Sequence, residues 1–437
     1  MTELITISTI STISNNQLKL VTLNGWLYNK RGSGKILFLQ IRDGTGFIQA
    51  IVNQNDVSSA EFELAKHLSQ ESSISITGTI NKDSRAPFCG HEIWVSQIEI
   101  ISHSQDYPIA KKSHGDAFLM SNRHLWMRSI KQHSILKIRA SLIRAIRDYF
   151  DSHGFLLIDS PIFTPNACEG TSTLFETEWF NGQKVYLSQS GQLYQEAACA
   201  AFGKTYCFGP VFRAEKSKTR RHLNEFWMVE PEAAFMDLEG TIQLAEDFLC
   251  YTVERILNIH EKDLTNILER DLTIVKNTRK PFPRILYTDA CDKIAKLGLE
   301  IKTGDDFGSP HETELTKQYD KPLIVTHFPS KIKAFYMKKD EFNPDFAKCM
   351  DLLSPEGYGE IIGGGQRENN EQTLMIEMQN HGLNLKDFEW FLDLRRYGSV
   401  PHSGFGMGLE RCLAWICGLH HVRETIPFAR TLDRMNP

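Results

Sequence analysis

The chain has 437 residues, 41% of them apolar and 24% charged, with a formal net charge of −5. That length accommodates two or three domains with separate cores, and the near-balanced charge excludes nucleic-acid recognition through a global positive field, leaving local basic patches. The nine cysteines include no CxxC pair, which argues against a zinc ribbon or a disulfide framework and fits a reducing compartment.

The first stretch, MTELITISTISTISNNQLK, has no arginine, carries Glu3 and lacks a continuous apolar core. It reads as neither a secretory signal nor a transit peptide. No apolar run approaches the roughly 18 residues that cross a bilayer, so the expectation is a cytoplasmic protein without membrane association. Residues 18–102 contain five β-rich runs, KLVTLNGWLYNK, KILFLQIRDG, FIQAIVN, SSISITGTI and HEIWVSQIEII. Turn-rich RGSG, DGTG and NKDSRAPFCG break them, and helix-like SSAEFELAKHL falls between the third and fourth. The pattern predicts a five-stranded Greek-key barrel of the oligonucleotide-binding (OB) kind, with a generic β-sandwich as the alternative. A polar connector ends this first domain, residues 1–110, and residues 111–437 form the second.

The second domain opens with HSILKIRASLIRAIRDYFDSHG, whose Ile135, Ile138, Leu142, Ile146 and Phe150 recur at helical spacing before a stop at Gly154. FLLIDSPIF reads as a strand closed by Pro161, and the pattern stays strand-rich to residue 235. A charged helical insertion is expected over about 240–320. Strands return at KPLIVTHFP and KIKAFYM, and a glycine-rich strand pair precedes a last helix, GLERCLAWICGL. Strand runs separated from helix runs predict an α+β domain, an antiparallel sheet flanked by helices.

One segment, YCFGPVFRAEKSKTRRHLNEFWMVEPE, crowds Arg213, Arg220, Arg221 and His222 beside Glu215 and Glu230. It is either a salt-bridged solvated hairpin or a site that grips a phosphorylated ligand together with a cationic group. Three segments in order favour the second reading: IRDYFDSHGFLLIDSPIF, then FRAE with TRRHLNEF, then GFGMGLERCLAWICG. Together they resemble a class II aminoacyl-tRNA synthetase. The barrel in front points to the aspartyl, asparaginyl and lysyl subgroup, and EFWMVEPE, GEIIGGGQRE, LRRYGSVPHSGFGMGLER and IPFARTLDR are closest to the asparaginyl enzymes.

The resemblance implies ATP and magnesium as substrate and cofactor, and L-asparagine and tRNA(Asn) as the other substrates. It also implies a homodimer built on the first of the three segments. Amino-acid activation brings two anions together, and arginine suits that task because its planar fork stays charged and binds phosphate oxygens at several points. Arg213 and Arg411 are implied as the catalytic pair, on the α- and γ-phosphates. Glu215, Arg221, His222, Leu223, Phe226, Glu360 and Gly408 complete the implied ATP site. Glu360 and Asp351 would hold magnesium. Glu169, Glu230 and Gln192 would hold the substrate's ammonium end, and Arg367 its side chain.

The choice between asparagine and aspartate rests on QSGQLYQEA. Aspartyl enzymes have lysine at the position of Gln195 and glutamine at that of Glu196. An amide needs one acceptor and one donor; Glu196 is expected to supply the first and Arg367 the second, while Glu196 repels a carboxylate. On the barrel, Arg31, Phe38 and Gln49 match the positions that read the central anticodon base, although Phe38 in ILFLQI could equally be core. The competing functions are an aspartyl-tRNA synthetase, possibly non-discriminating, an asparagine synthetase on the same catalytic fold, and a non-catalytic RNA-binding paralogue.

Overall fold

A computed structural model describes residues 6–169 and 173–437. The chain divides into two compact units, Met1–His114 and Gly115–Pro437.

In the first unit a short strand β1 (Thr6–Ile7) pairs parallel with β2 (Leu20–Ser33). Strands β2, β3 (Ile36–Arg42), β4 (Phe47–Asn53), β5 (Ser73–Lys82) and β6 (His91–Ser102) run in the order β2-β3-β4-β6-β5, and β2 also pairs with β5. That last pairing closes the barrel and removes its free edges. The helix Ser59–His67 falls between the third and fourth barrel strands, its start fixed by a capping box between Ser58 and Glu61. Alternation along the strands buries Leu23, Leu39, Ile41, Ile74 and Ile76 in one interior cluster.

The second unit is built on an eight-stranded sheet. Its strands are β7 (Leu156–Leu157), β11 (Lys204–Phe212), β12 (Glu225–Ala234), β13 (Arg284–Leu286), β14 (Leu323–Thr326), β15 (Cys349–Ser354), β16 (Gly359–Gln366) and β17 (His402–Gly408), in the order β13-β14-β15-β16-β17-β12-β11-β7. The six central strands pair antiparallel, while β13 on β14 and β7 on β11 are parallel, so the expected antiparallel sheet is mixed at its edges. A separate small sheet joins β8 (Phe163–Thr164), β10 (Lys184–Leu187) and β9 (Glu176–Glu178).

The helix Ile130–Ser152 starts at Ser129, whose hydroxyl accepts from the Gln132 amide, and ends before Gly154 at φ +77°. Ile135, Ile138, Leu142, Ile146 and Phe150 are all buried, packed with the helix Leu238–Lys262 and with Trp415 in the largest core cluster. The 240–320 stretch is largely helical, but it also supplies β13 and a helix Ser309–Thr316. Two local readings differ from the sequence expectation. Residues 192–202, inside the stretch read as strand-rich, form the helix Gln192–Phe202. KIKAFYM is no strand: its first residues belong to a short 3-10 turn, Ser330–Ile332, and the Met337 amide closes a turn on Ala334 at 3.0 Å.

Candidate active site

Strands β11 and β12 form a hairpin in which Phe226, Met228, Glu230 and Glu232 share one face by their two-residue spacing. The facing strand β17 clears that floor: a methyl group at Gly404 would lie 2.2 Å from Glu232 Oε2. The hairpin's far end and the helix Leu409–Cys417 then enclose a cleft. Arg213, Glu215, Arg221, His222, Leu223, Phe226, Glu360, Gly408 and Arg411 all line it, so the nine residues implied for ATP, drawn from distant parts of the chain, meet in one place.

Within the cleft the three arginines differ in their commitments. Arg213 sits 5.5 Å over the Phe226 ring and reaches Gln189 O and Met228 Sδ only at 3.5 and 3.8 Å. Its Nε is buried with no hydrogen-bond partner among the described residues. Burial disfavours its charge, but Glu169, Glu215, Glu230 and Glu360 outweigh it and raise the guanidinium's pKa. Arg411 donates to Glu360 O at 2.5 Å, which ties the helix to β16. Arg221 is spoken for: Nη1 meets Glu312 at 2.6 Å, and Nη2 donates to Thr313 at 2.5 Å and to Gly357 O. Its charge is therefore balanced from within the protein, by a helix that sequence reading left without a role. His222 lies 3.4 Å from Glu215, and burial, with Arg411 next, lowers its pKa.

Behind the cleft, Glu230 accepts from the Gly191 amide at 2.8 Å and from the Ser190 hydroxyl. Burial raises its pKa. Glu169 accepts from the Tyr336 hydroxyl at 3.2 Å and its amide donates to Gln189 Oε1 at 3.1 Å. The helix Gln192–Phe202 sets the next contacts, because residues four apart face the same way. Gln192 Nε2 donates to Glu196 Oε1 and to Glu232 Oε2, both at 3.1 Å, and its Oε1 accepts from Arg367 Nη2 at 2.6 Å. This pattern fixes the amide's orientation, since the flipped form would set its oxygen against two carboxylates.

The contacts of Glu196 and Arg367 define the pocket behind the cleft. Glu196 was expected to meet the substrate amide directly. Its side chain is fully buried, and Oε2 is already held by Arg395 at 2.5 Å and His402 at 3.0 Å, with Oε1 held by Gln192. Both oxygens of Glu196 thus have partners within the protein. Gln195, one residue before it, turns away and donates to Ile158 O and Ser160 at 2.8 and 3.1 Å. Arg367 is buried and bound to Glu232 through Nε and Nη2, while its Nη1 meets the soft Met337 Sδ at 3.4 Å. Nη1 is thus the edge of Arg367 best placed to donate to a carbonyl oxygen.

The expected magnesium ligands lie together. A bulge pairs Leu353 with Glu360 but Leu352 with Ile362, bringing Glu360 onto the same face as Gly363. A methyl group at Gly363 would sit 2.3 Å from Glu360 Oε1 and 3.5 Å from Asp351 Oδ1. Two hard carboxylates converging over a glycine fit magnesium, which takes one or two carboxylates and completes its shell with phosphate oxygens and water. Asp351 is already engaged, its oxygens 2.9 and 2.7 Å from Lys333 Nζ.

On the barrel, Arg31 and Phe38 are cross-strand partners with the guanidinium 4.9 Å over the ring, and Arg31 donates to Gln49 Oε1 at 3.2 Å. Phe38 is half-buried between buried Leu37 and Leu39 and outside the barrel core cluster. The three expected residues thus adjoin one another, with Gln49 buried beneath and donating to Glu92 Oε1 at 2.6 Å.

Sequence reading missed Glu232, Glu312, Lys333, Tyr336, Arg395 and His402. Glu232 carried a local signal, the two-residue step from Glu230 on a strand, and Arg395 and His402 lay within LRRYGSVPHSGFGMGLER.

Residues 116–432 match the family model for tRNA synthetases class II (D, K and N), and residues 21–101 match that for the OB-fold nucleic acid binding domain. Asparagine–tRNA ligase of Pelotomaculum thermopropionicum is 54% identical over 417 residues, spanning 95% of this chain and 96% of its own. The same enzyme of Sorangium cellulosum is 52% identical over 430 residues, spanning 95% and 96%. Among solved structures, asparaginyl-tRNA synthetase from Pyrococcus horikoshii complexed with asparaginyl-adenylate has a TM-score of 0.95 at 43% identity, covering 99% of this chain and 100% of that one.

Proposed function

The chain belongs to the class II tRNA synthetases of the D, K and N family, and on that premise we propose that it joins L-asparagine to tRNA(Asn) through an asparaginyl-adenylate. The observation that carries this reading is the cleft itself. Arg213, half-buried and lightly held, and Arg411 line it together with Phe226 and Glu360, a cation-rich slot with an aromatic wall. In activation, a carboxylate oxygen of asparagine attacks the α-phosphorus of ATP, the bond to the bridging oxygen breaks, and pyrophosphate leaves. Arg213 would neutralise charge at the reacting phosphate and Arg411 at the far end of the triphosphate, which is worth most in a water-poor site. Glu360 and Asp351 would hold magnesium, which when bound neutralises phosphate charge. Glu169 and Glu230 would take the ammonium group, and Arg367 Nη1 the side-chain carbonyl. A ribose hydroxyl at the tRNA 3′ end then attacks the adenylate carbonyl and AMP leaves.

Arg31, Phe38 and Gln49 would stack and read an anticodon base. The functional unit would be a homodimer, with exposed Leu156, Ile162 and Phe163 covered by a second copy; a fully active monomer in light scattering at micromolar concentration contradicts this. The direct test of the function is asparaginylation of tRNA(Asn) by the purified chain with ATP and magnesium. Failure to charge that tRNA rejects the reading.

A further inference from the structure

Lys333 lies in KIKAFYM, in the turn that follows β14, and the activation chemistry above gives it no task. Its ammonium is nevertheless built into the site. Nζ meets both oxygens of Asp351, at 2.9 and 2.7 Å, and lies 4.0 Å from the centre of the Phe328 ring. The Lys333 and Asp351 side chains are largely buried, at 17% and 11% exposure, so this is no solvated surface pair. Asp351 Oδ1 and Glu360 Oε1 both converge on Gly363. Without a cation between or beside them, two carboxylates so placed repel one another.

We propose that Lys333 is a positioning residue that does part of a divalent cation's work at this site. It neutralises Asp351 and holds it in place, so that the free protein binds a divalent cation weakly and needs nucleotide phosphates to complete the shell. The inference rests on the reading of Glu360 and Asp351 as magnesium ligands. The physical reason is competition: a carboxylate chelated by an ammonium has lost the charge and the lone pairs that a hard cation needs, and ligand charge count is what tunes affinity for such cations. With Lys333 neutral, Asp351 and Glu360 become an unbalanced pair that a divalent cation alone can satisfy.

Manganese(II) binding, followed by the loss of its free-ion EPR signal, reads this without catalysis. In the absence of nucleotide, Lys333→Met should bind Mn²⁺ at least about tenfold tighter than the unaltered chain, the scale on which charge count shifts such sites. Lys333→Gln should behave the same way, and reads the same balance if the Met variant does not fold. Adding Asp351→Asn to either should abolish the gain. Unchanged Mn²⁺ affinity in both folded variants overturns the inference while leaving the metal reading intact. If the unaltered chain takes up no Mn²⁺ even with a non-hydrolysable ATP analogue, the metal reading falls and the inference with it.

Discussion

Arg395 and Glu196 lie 199 residues apart in sequence and meet as a 2.5 Å ion pair in which neither side chain is exposed. Arg395 is further fixed by its Nε donating to Glu368 O at 2.8 Å and by the Phe391 ring 4.3 Å away. Removing one partner of such a pair strands the other charge in the interior, at a cost of about 3–5 kcal/mol, whereas replacing both is far milder. Arg395→Met should therefore destabilise the second unit strongly in urea, and Arg395→Met with Glu196→Gln should recover most of the loss. A double variant as unstable as the single would show that the pair contributes no such coupling.

The same carboxylate is the one proposed to bear on selectivity, through its charge. Glu196 and Glu232 sit among Arg367, Arg395 and His402. Glu196→Gln keeps the volume and removes one negative charge from beside those cations, which favours an aspartate side chain over a neutral amide. The ratio of kcat/KM for asparagine over aspartate should fall by at least about tenfold, equivalent to 1.4 kcal/mol. Adenylate formation with each amino acid at saturating ATP measures it. An unchanged ratio would make Glu196 a purely structural residue.

His402 adds a pH dependence whose sign follows from its contacts. Nδ1 lies 2.9 Å from Val400 O and Nε2 lies 3.0 Å from Glu196 Oε2. Both partners are acceptors, so these contacts favour the charged ring, which can donate from both nitrogens. Burial opposes that charge, but Glu196 outweighs it and raises the pKa above 6.5, with Glu232 helping and Arg395 opposing. A raised value means the contribution is complete below pH 6.5 and is lost as pH rises through the folded pKa. The KM for asparagine should rise on the alkaline side by roughly tenfold, the lower end of what a charged hydrogen bond of about 1.5–3 kcal/mol supplies. His402→Gln should flatten that limb. An identical limb in the variant would assign it to another group.

What the sequence made legible was whatever local spacing encodes. The helix Ile130–Ser152 followed from five apolar residues at helical intervals and a glycine stop, and the barrel from five β-rich runs with a capped helix in the expected gap. The cleft was legible because its arginines sit in motifs of fixed order. What stayed hidden depends on contacts between distant segments. QLYQEAACAAF gave no strong helical period, so the shared face of Gln192 and Glu196 went unseen and Glu196 was assigned to the substrate itself. Lys333 and Tyr336 lie in a turn that alternates like a strand on paper, and no spacing rule links Arg395 to a carboxylate 199 residues earlier.

A change on the barrel tests the proposed anticodon contact apart from the chemistry. Phe38 faces outward beside Arg31 rather than into the barrel core. Phe38→Ala should weaken tRNA charging by about 1–3 kcal/mol, the value of one base–aromatic stack, and should leave tRNA-independent pyrophosphate exchange unchanged. Parallel loss of both activities would mean that the ring supports the fold instead of the RNA.

Selection of an amide by the buried cluster around Arg367 is read by amino-acid-dependent ATP–pyrophosphate exchange. With magnesium and ATP present and no tRNA, L-asparagine should drive exchange and L-aspartate at the same concentration should drive it at least about a hundredfold less well, a gap of roughly 2.7 kcal/mol that buried charge complementarity readily supplies. Exchange driven equally well by aspartate, or by aspartate alone, would contradict the account.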